Sequence, residues 1–135
     1  MTDLQLGDIN MRDEYNQTVP IASAYSGCPI HDAGEGPQQA VDGTAYTKWY
    51  CGTTSATLSL SLSAPALLSA YELFTANDYP GRDPSSWHLA CSSDSEPYVQ
   101  VDAVAEFQPT PDRFATYGLF YIVKSPPPSP PPPSP

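Results

Sequence analysis

Apolar and polar residues alternate along much of this chain with a period of two rather than the 3.6 of a helix. The clearest run is Leu58-Ser59-Leu60-Ser61-Leu62, with leucines on one face and serines on the other, the pattern of a strand with one buried side. Residues 4–11 alternate in the same way and predict a half-buried strand, followed by a polar turn over 13–17 and a second short strand over 19–24. Residues 68–76, 87–91, 98–101 and 114–123 read as further strands. Residues 26–39 carry Gly, Pro, Asp and Glu without periodicity, and 77–85 are rich in turn formers, so both stretches predict loops. No segment has a long helical apolar stripe. Many short strands separated by turn signals predict an all-β fold, an antiparallel β-sandwich.

The pattern stops at residue 124. Residues 125–135 are eight prolines and three serines, and proline cannot supply the backbone donor that a sheet requires. This divides the chain into a folded domain, 1–124, and a Pro/Ser stalk, 125–135. The stalk is expected to be a polyproline II segment, which at about 3.1 Å per residue spans roughly 34 Å and acts as a stiff spacer. Ser125, Ser129 and Ser134, with Pro126, Pro127, Pro128, Pro130, Pro131, Pro132, Pro133 and Pro135, are candidate hydroxylation and O-glycosylation sites. The serines between the proline blocks favour a glycosylated stalk over an incidental linker or a docking peptide for a proline-binding module.

Charge narrows the function. Fifteen Asp and Glu against five Lys and Arg give a net charge of −10. Nucleic acid is excluded, because its binding relies on basic residues neutralising phosphates, and anionic membranes are disfavoured for the same reason. No apolar run approaches the ~20 residues of a membrane span. Acidic oxygens suit hard cations instead. The three cysteines contain no CxxC pair. Cys28 and Cys51 flank one predicted loop system and are assigned to each other, while Cys91 is either buried and free or bonded to another chain; sequence alone leaves the pairing open. Asn16-Gln17-Thr18 is an N-glycosylation triplet in a predicted turn. The start, Met1-Thr2-Asp3-Leu4, has no export signal, which points to an internal fragment or a removed leader and leaves the stalk as the main argument for secretion.

Three stretches carry a family resemblance: Leu6 to Asp13; Gly34 to Gly43 leading into Thr47-Lys48-Trp49; and Tyr71 to Asp78 leading through Arg82-Asp83-Pro84-Ser85-Ser86-Trp87 into Leu89. Together they resemble the discoidin-like domains, also called coagulation-factor C-type or galactose-binding-like domains. The resemblance implies an antiparallel jelly-roll β-sandwich that binds ligands, often glycans, through loops at one end, and that is not an enzyme. It also implies a structural calcium ion held by Asp42 and Thr47 side chains and by the carbonyls of Gln39 and Thr44. Asp8 stands where the family usually has Glu, with Gly7 as a carbonyl donor. The Pro/Ser segment resembles a second group, the hydroxyproline-rich glycoproteins of green-algal walls and flagellar surfaces, including mastigoneme-type fibres.

Trp49 and Trp87 are expected in the core, since burying so large a surface is favourable. Tyr25, Tyr46, Tyr50 and Tyr79 fall in predicted loops and are candidates for exposed contacts. Asp78, Arg82 and Asp83 place two carboxylates beside a guanidinium, which suggests an ion pair bracing the loop, or a polar ligand site. His88 should face away from Trp87 and Leu89, and His31 lies in a loop; neither sits in a nucleophile motif. The expected function is a structural module of an extracellular glycoprotein, assembling with other copies or related glycoproteins and carrying covalent glycans. The alternative is a lectin-like module binding free saccharides on a rigid stalk.

Overall fold

The computed structural model describes residues 3–30, 32–93 and 97–122. His31 and the whole Pro/Ser segment lie outside the described residues. The fold is all-β and every strand pairing is antiparallel. Strands β1 (Leu4–Leu6) and β4 (Trp49–Cys51) form one pair, β3 (Ile21–Ser26) and β5 (Leu58–Leu62) a second, and β7 (Trp87–Cys91) and β8 (Val99–Val104) a third. Strands β2 (Asp8–Asp13), β6 (Leu68–Phe74) and β9 (Thr116–Tyr121) form a three-stranded sheet with β6 in the middle.

Residues 4–11, expected as one strand, are two. The chain breaks at Gly7 and passes from the β4 pairing to the β6 pairing. The reason is a close backbone approach. The Gly7 N–H donates to Phe74 O at 2.9 Å, and a Cβ at this position would lie 2.4 Å from Thr75 O. Only glycine allows the crossing without displacing β6. The second strand starts at Ile21 rather than residue 19, after Pro20, which has no N–H to offer a ladder. The short β4 was not expected; three residues are too few to show a period.

The sheets share one core. Leu6, Trp49 and Cys51 come from the first pair, Met11, Tyr71, Leu73 and Tyr117 from the three-stranded sheet, and Leu58, Leu60, Leu62, Trp87 and Leu89 pack against them. Trp49 is buried and Trp87 half-buried. Trp87 meets Phe107, Tyr117 and Phe120 edge-on at 5.2–5.9 Å between centroids, contacts worth about 0.5–1.5 kcal/mol each beyond area burial. Its indole Nε1–H donates to Tyr71 Oη at 2.7 Å, and that hydroxyl donates to Asp102 Oδ2 at 2.5 Å. Burial and the Asp102 partner hold the Tyr71 phenol well above its ordinary pKa, so it serves as a fixed donor. His88 is exposed, on the opposite face from its neighbours. A disulfide joins Cys28 to Cys51 and ties the chain after β3 to β4; Cys91 is free, half-buried at the end of β7, its thiol pKa raised by desolvation.

Candidate functional site

Three loops meet at the end of the fold where β6 runs out and β9 begins: residues 42–48 before β4, 75–83 after β6, and 110–115 before β9. The first is built around Asp42. One carboxylate oxygen accepts from Thr44 N at 3.2 Å, the other from the Thr47 hydroxyl, and Thr47 Oγ1 also reaches Gln39 O at 3.4 Å. Tyr46 N then donates to Thr44 Oγ1 at 3.1 Å. These are local side-chain-to-backbone turns of the kind Asp and Thr favour.

Asp8 comes to the same place from β2. It is 5 % exposed and its Oδ1 has no hydrogen-bond partner. Burial, and secondarily the negative charge of Asp42, pushes its pKa up to about 7; backbone N–H groups of Gly43 and Ile9 pull the other way. Of the six residues expected to hold calcium, Asp8, Gln39, Asp42 and Thr47 are therefore brought together. Thr44 contributes its N–H to Asp42, and the role visible for Gly7 is steric. Among the described residues no three His, Cys, Asp or Glu side chains converge, so the oxygen set is two carboxylates supplemented by neutral oxygens. An orphaned buried carboxylate oxygen beside a second carboxylate fits a hard cation.

The second and third loops are held by two cations. Lys48, almost fully buried, donates to Gln5 Oε1 at 3.0 Å and Asp78 Oδ1 at 2.8 Å, with Glu35 at 3.5 Å. Gln5 is wholly buried, and its amide donates onward to Asp78 O at 2.5 Å and Tyr79 O at 3.3 Å. Arg113 forms a two-pronged pair with Asp83, at 3.2 and 2.6 Å, and also donates to Asp78 O at 2.9 Å. The Asp83 side chain is 1 % exposed. The expected brace within 78–83 is thus corrected in its partners. Arg82 pairs with neither Asp78 nor Asp83. It reaches Asp3 at 3.4 Å and lies over the rings of Tyr79 and Tyr50, at 4.0 and 5.3 Å. Residue spacing could not show that the loop's carboxylates are neutralised from 30 positions away on either side. The signal available was the charge census, since with fifteen acids to five cations a compact arrangement has a carboxylate to spare for every cation.

This bracing displays aromatic rings. Tyr46 is 79 % exposed and Phe114 42 % exposed, with their centroids 4.9 Å apart. Tyr79, 58 % exposed, follows Asp78 in the adjoining loop. Phe114 and Tyr79 have φ of 56° and 40°, a left-handed backbone costing on the order of 1–3 kcal/mol for a bulky residue. The surrounding bonds impose it, since Phe114 N donates to Ala76 O at 3.3 Å and Arg113 grips the loop just before it. Sequence reading missed Gln5, Lys48, Arg113 and Phe114.

The remaining expected sites lie elsewhere. Asn16 sits exposed at the tip of the turn after β2, with φ 62°, where asparagine is well tolerated. Tyr25 is exposed on β3 and Tyr50 half-buried on β4, neither in the predicted loops. Comparison with known proteins found no matching family model, no matching curated protein and no matching solved structure.

Proposed function

We propose that this chain is a structural module of an extracellular, hydroxyproline-rich glycoprotein that assembles into a matrix, wall or surface fibre, its domain being a discoidin-like jelly-roll sandwich. The observation that carries this reading is the placement of the two ends. Ile122 leaves β9 beside Ser69, bonded to it at 2.9 Å, while the braced loops sit at the other end of β9, where Thr116 pairs with Phe74. Strand β9 separates them by roughly 17 Å at about 3.3 Å per residue. Ile122 therefore lies at one pole and the aromatic loops at the opposite one, an arrangement that suits a linking unit. The Cys28–Cys51 disulfide supports an oxidising compartment. Calcium is part of the proposal: Asp8, Asp42, Thr47 and Gln39 would hold it, and it would lock the loop carrying Tyr46.

The exposed Tyr46–Phe114 pair favours a second reading, a lectin-like module, since sugar rings stack on such faces. Against it, Lys48, Arg113 and Asp83 commit their polar groups to the protein itself rather than to a ligand's hydroxyls.

Two measurements test the proposal. Protein secreted by a host that hydroxylates proline should lose mass on chemical deglycosylation, and a mass equal to the bare polypeptide refutes the glycoprotein claim. On a glycan array the chain should show no saccharide preference while forming oligomers or fibres in solution; selective saccharide capture by a monomer reverses the ranking of the two readings.

A further inference from the structure

We infer that the Tyr46–Phe114 pair, with Tyr79 in the adjoining loop, is a docking surface for residues 125–135 of a second copy of this chain. The inference rests on the assembly reading above and names its contact.

The rings are solvent-exposed, yet their backbone is held in place. Tyr46 hangs from the Asp42–Thr47 turn, and Phe114 follows directly on Arg113, whose guanidinium joins Asp83 and Asp78 O. Pre-ordered aromatic faces cost little entropy to bind on, and aromatic-lined surfaces are what proline-rich segments dock against. The donor and acceptor chemistry agrees. A polyproline II segment has carbonyl acceptors, no internal hydrogen bonds and almost no backbone donors. The phenol hydroxyls of Tyr46 and Tyr79 and the amide of exposed Asn77 can donate to those carbonyls.

Charge identifies the occupant. All five cations and fifteen anions of the chain lie in residues 1–124, so two domains at net −10 repel, while 125–135 carry no charge and can approach without that cost. Assembly takes the occupant from a second copy. Ile122 lies at the end of β9 far from Phe114. A head that binds another copy's tail makes a heterologous contact, which builds a ring where the rotation closes and an open filament where it does not.

The test uses the full chain and the synthetic peptide Ser-Pro-Pro-Pro-Ser-Pro-Pro-Pro-Pro-Ser-Pro, with proline and with hydroxyproline. Amide and aromatic resonances of Tyr46, Phe114 and Tyr79 should shift on titration, and excess peptide should dissolve chain oligomers in sedimentation velocity. Tyr46→Ser and Phe114→Asn should each weaken both effects at least tenfold. Phe114→Asn suits the left-handed backbone, so an unchanged or raised melting temperature confirms that the ring alone was lost. Oligomers that persist in both variants, with no peptide shifts at the pair, overturn the docking surface and leave the assembly reading standing. A chain that remains monomeric at millimolar concentration overturns the assembly reading and the second copy with it. Shifts at the pair produced by simple saccharides and not by the peptide assign the surface to glycans and refute this inference.

Discussion

Removing Arg113 should damage the fold more than removing any other exposed-end side chain, because it strands a buried carboxylate. Asp83 is 1 % exposed in its side chain and takes both prongs of Arg113, at 3.2 and 2.6 Å. Breaking a buried pair by deleting one partner costs about 3–5 kcal/mol, most of it the uncompensated charge left behind. Arg113→Met keeps the apolar stem and deletes the guanidinium, so the expected loss is in that range. It includes the bond to Asp78 O. Domains of this size are stable by about 5–15 kcal/mol, so the variant should lose about a fifth or more of its stability. At roughly 4 °C per kcal/mol the melting temperature should fall about 12–20 °C. Asp83→Leu combined with Arg113→Met should recover most of the loss, because a buried pair replaced by apolar residues is often neutral. Urea unfolding followed by the fluorescence of Trp49 and Trp87 measures Arg113→Met, Asp83→Leu alone and the double variant. A loss below about 1 kcal/mol for Arg113→Met, or a double variant equal to the sum of the singles, refutes the claim that the two residues form one coupled, desolvated pair.

Three further outcomes follow from the same structure. Replacing Cys28 and Cys51 together by serine should cost about 3 kcal/mol, since the bridge closes a loop of 23 residues in the unfolded chain; equal urea midpoints for oxidised wild type and the double variant would show that the bridge contributes nothing. Gly7→Ala should cost about 1–3 kcal/mol by forcing a Cβ against Thr75 O, and a fully stable variant would mean the strand crossing is not tight. Asp8 has a folded pKa raised from 3.8 to about 7, so between these values the folded state holds a proton that the unfolded state has released. In chelator, stability should therefore fall as pH rises from about 4 to 7 and stay low above, by on the order of 4 kcal/mol at 1.36 kcal/mol per pKa unit. Asp8→Asn should flatten this difference, and parallel pH profiles for the two proteins would refute the assignment.

The strands legible in sequence were those whose faces differ in solvent exposure. Leu58–Leu62 alternates because its leucines meet the core and its serines meet water, and Trp87–Cys91 is bounded as its pattern suggests. Where the environment changes mid-strand the pattern changes phase. The apolar positions are Leu4 and Leu6, then Ile9 and Met11, so the alternation slips by one across Gly7–Asp8, where the chain changes sheet; the crowding that requires glycine there comes from the residues after β6. β4 has three residues, and its position follows from pairing with β1 and from the disulfide rather than from any local preference.

The candidate site divides along the same line. The Asp42–Thr47 turn was readable because its bonds run between residues two to five apart, within the reach of short polar side chains. The long-range braces were not. Asp83 lies one residue from Arg82, and proximity in sequence made that the natural pair; the register of β6 against β9 instead delivers Arg113 to Asp83 and frees Arg82 to lie over Tyr79 and Tyr50. Arg82 closes a 3-10 turn over Pro80–Arg82 and Asp83 leaves it extended, and the two side chains go to different partners, Asp3 and Arg113. Neighbouring opposite charges in a loop between strands are thus poor evidence for a pair with each other and better evidence that each has a partner across the fold. In a chain with three carboxylates for every cation, that partner search starts from the cations: Lys48 and Arg113 each gather more than one strand or loop, and the aromatic pair they frame, Tyr46 and Phe114, is two residues from one and next to the other.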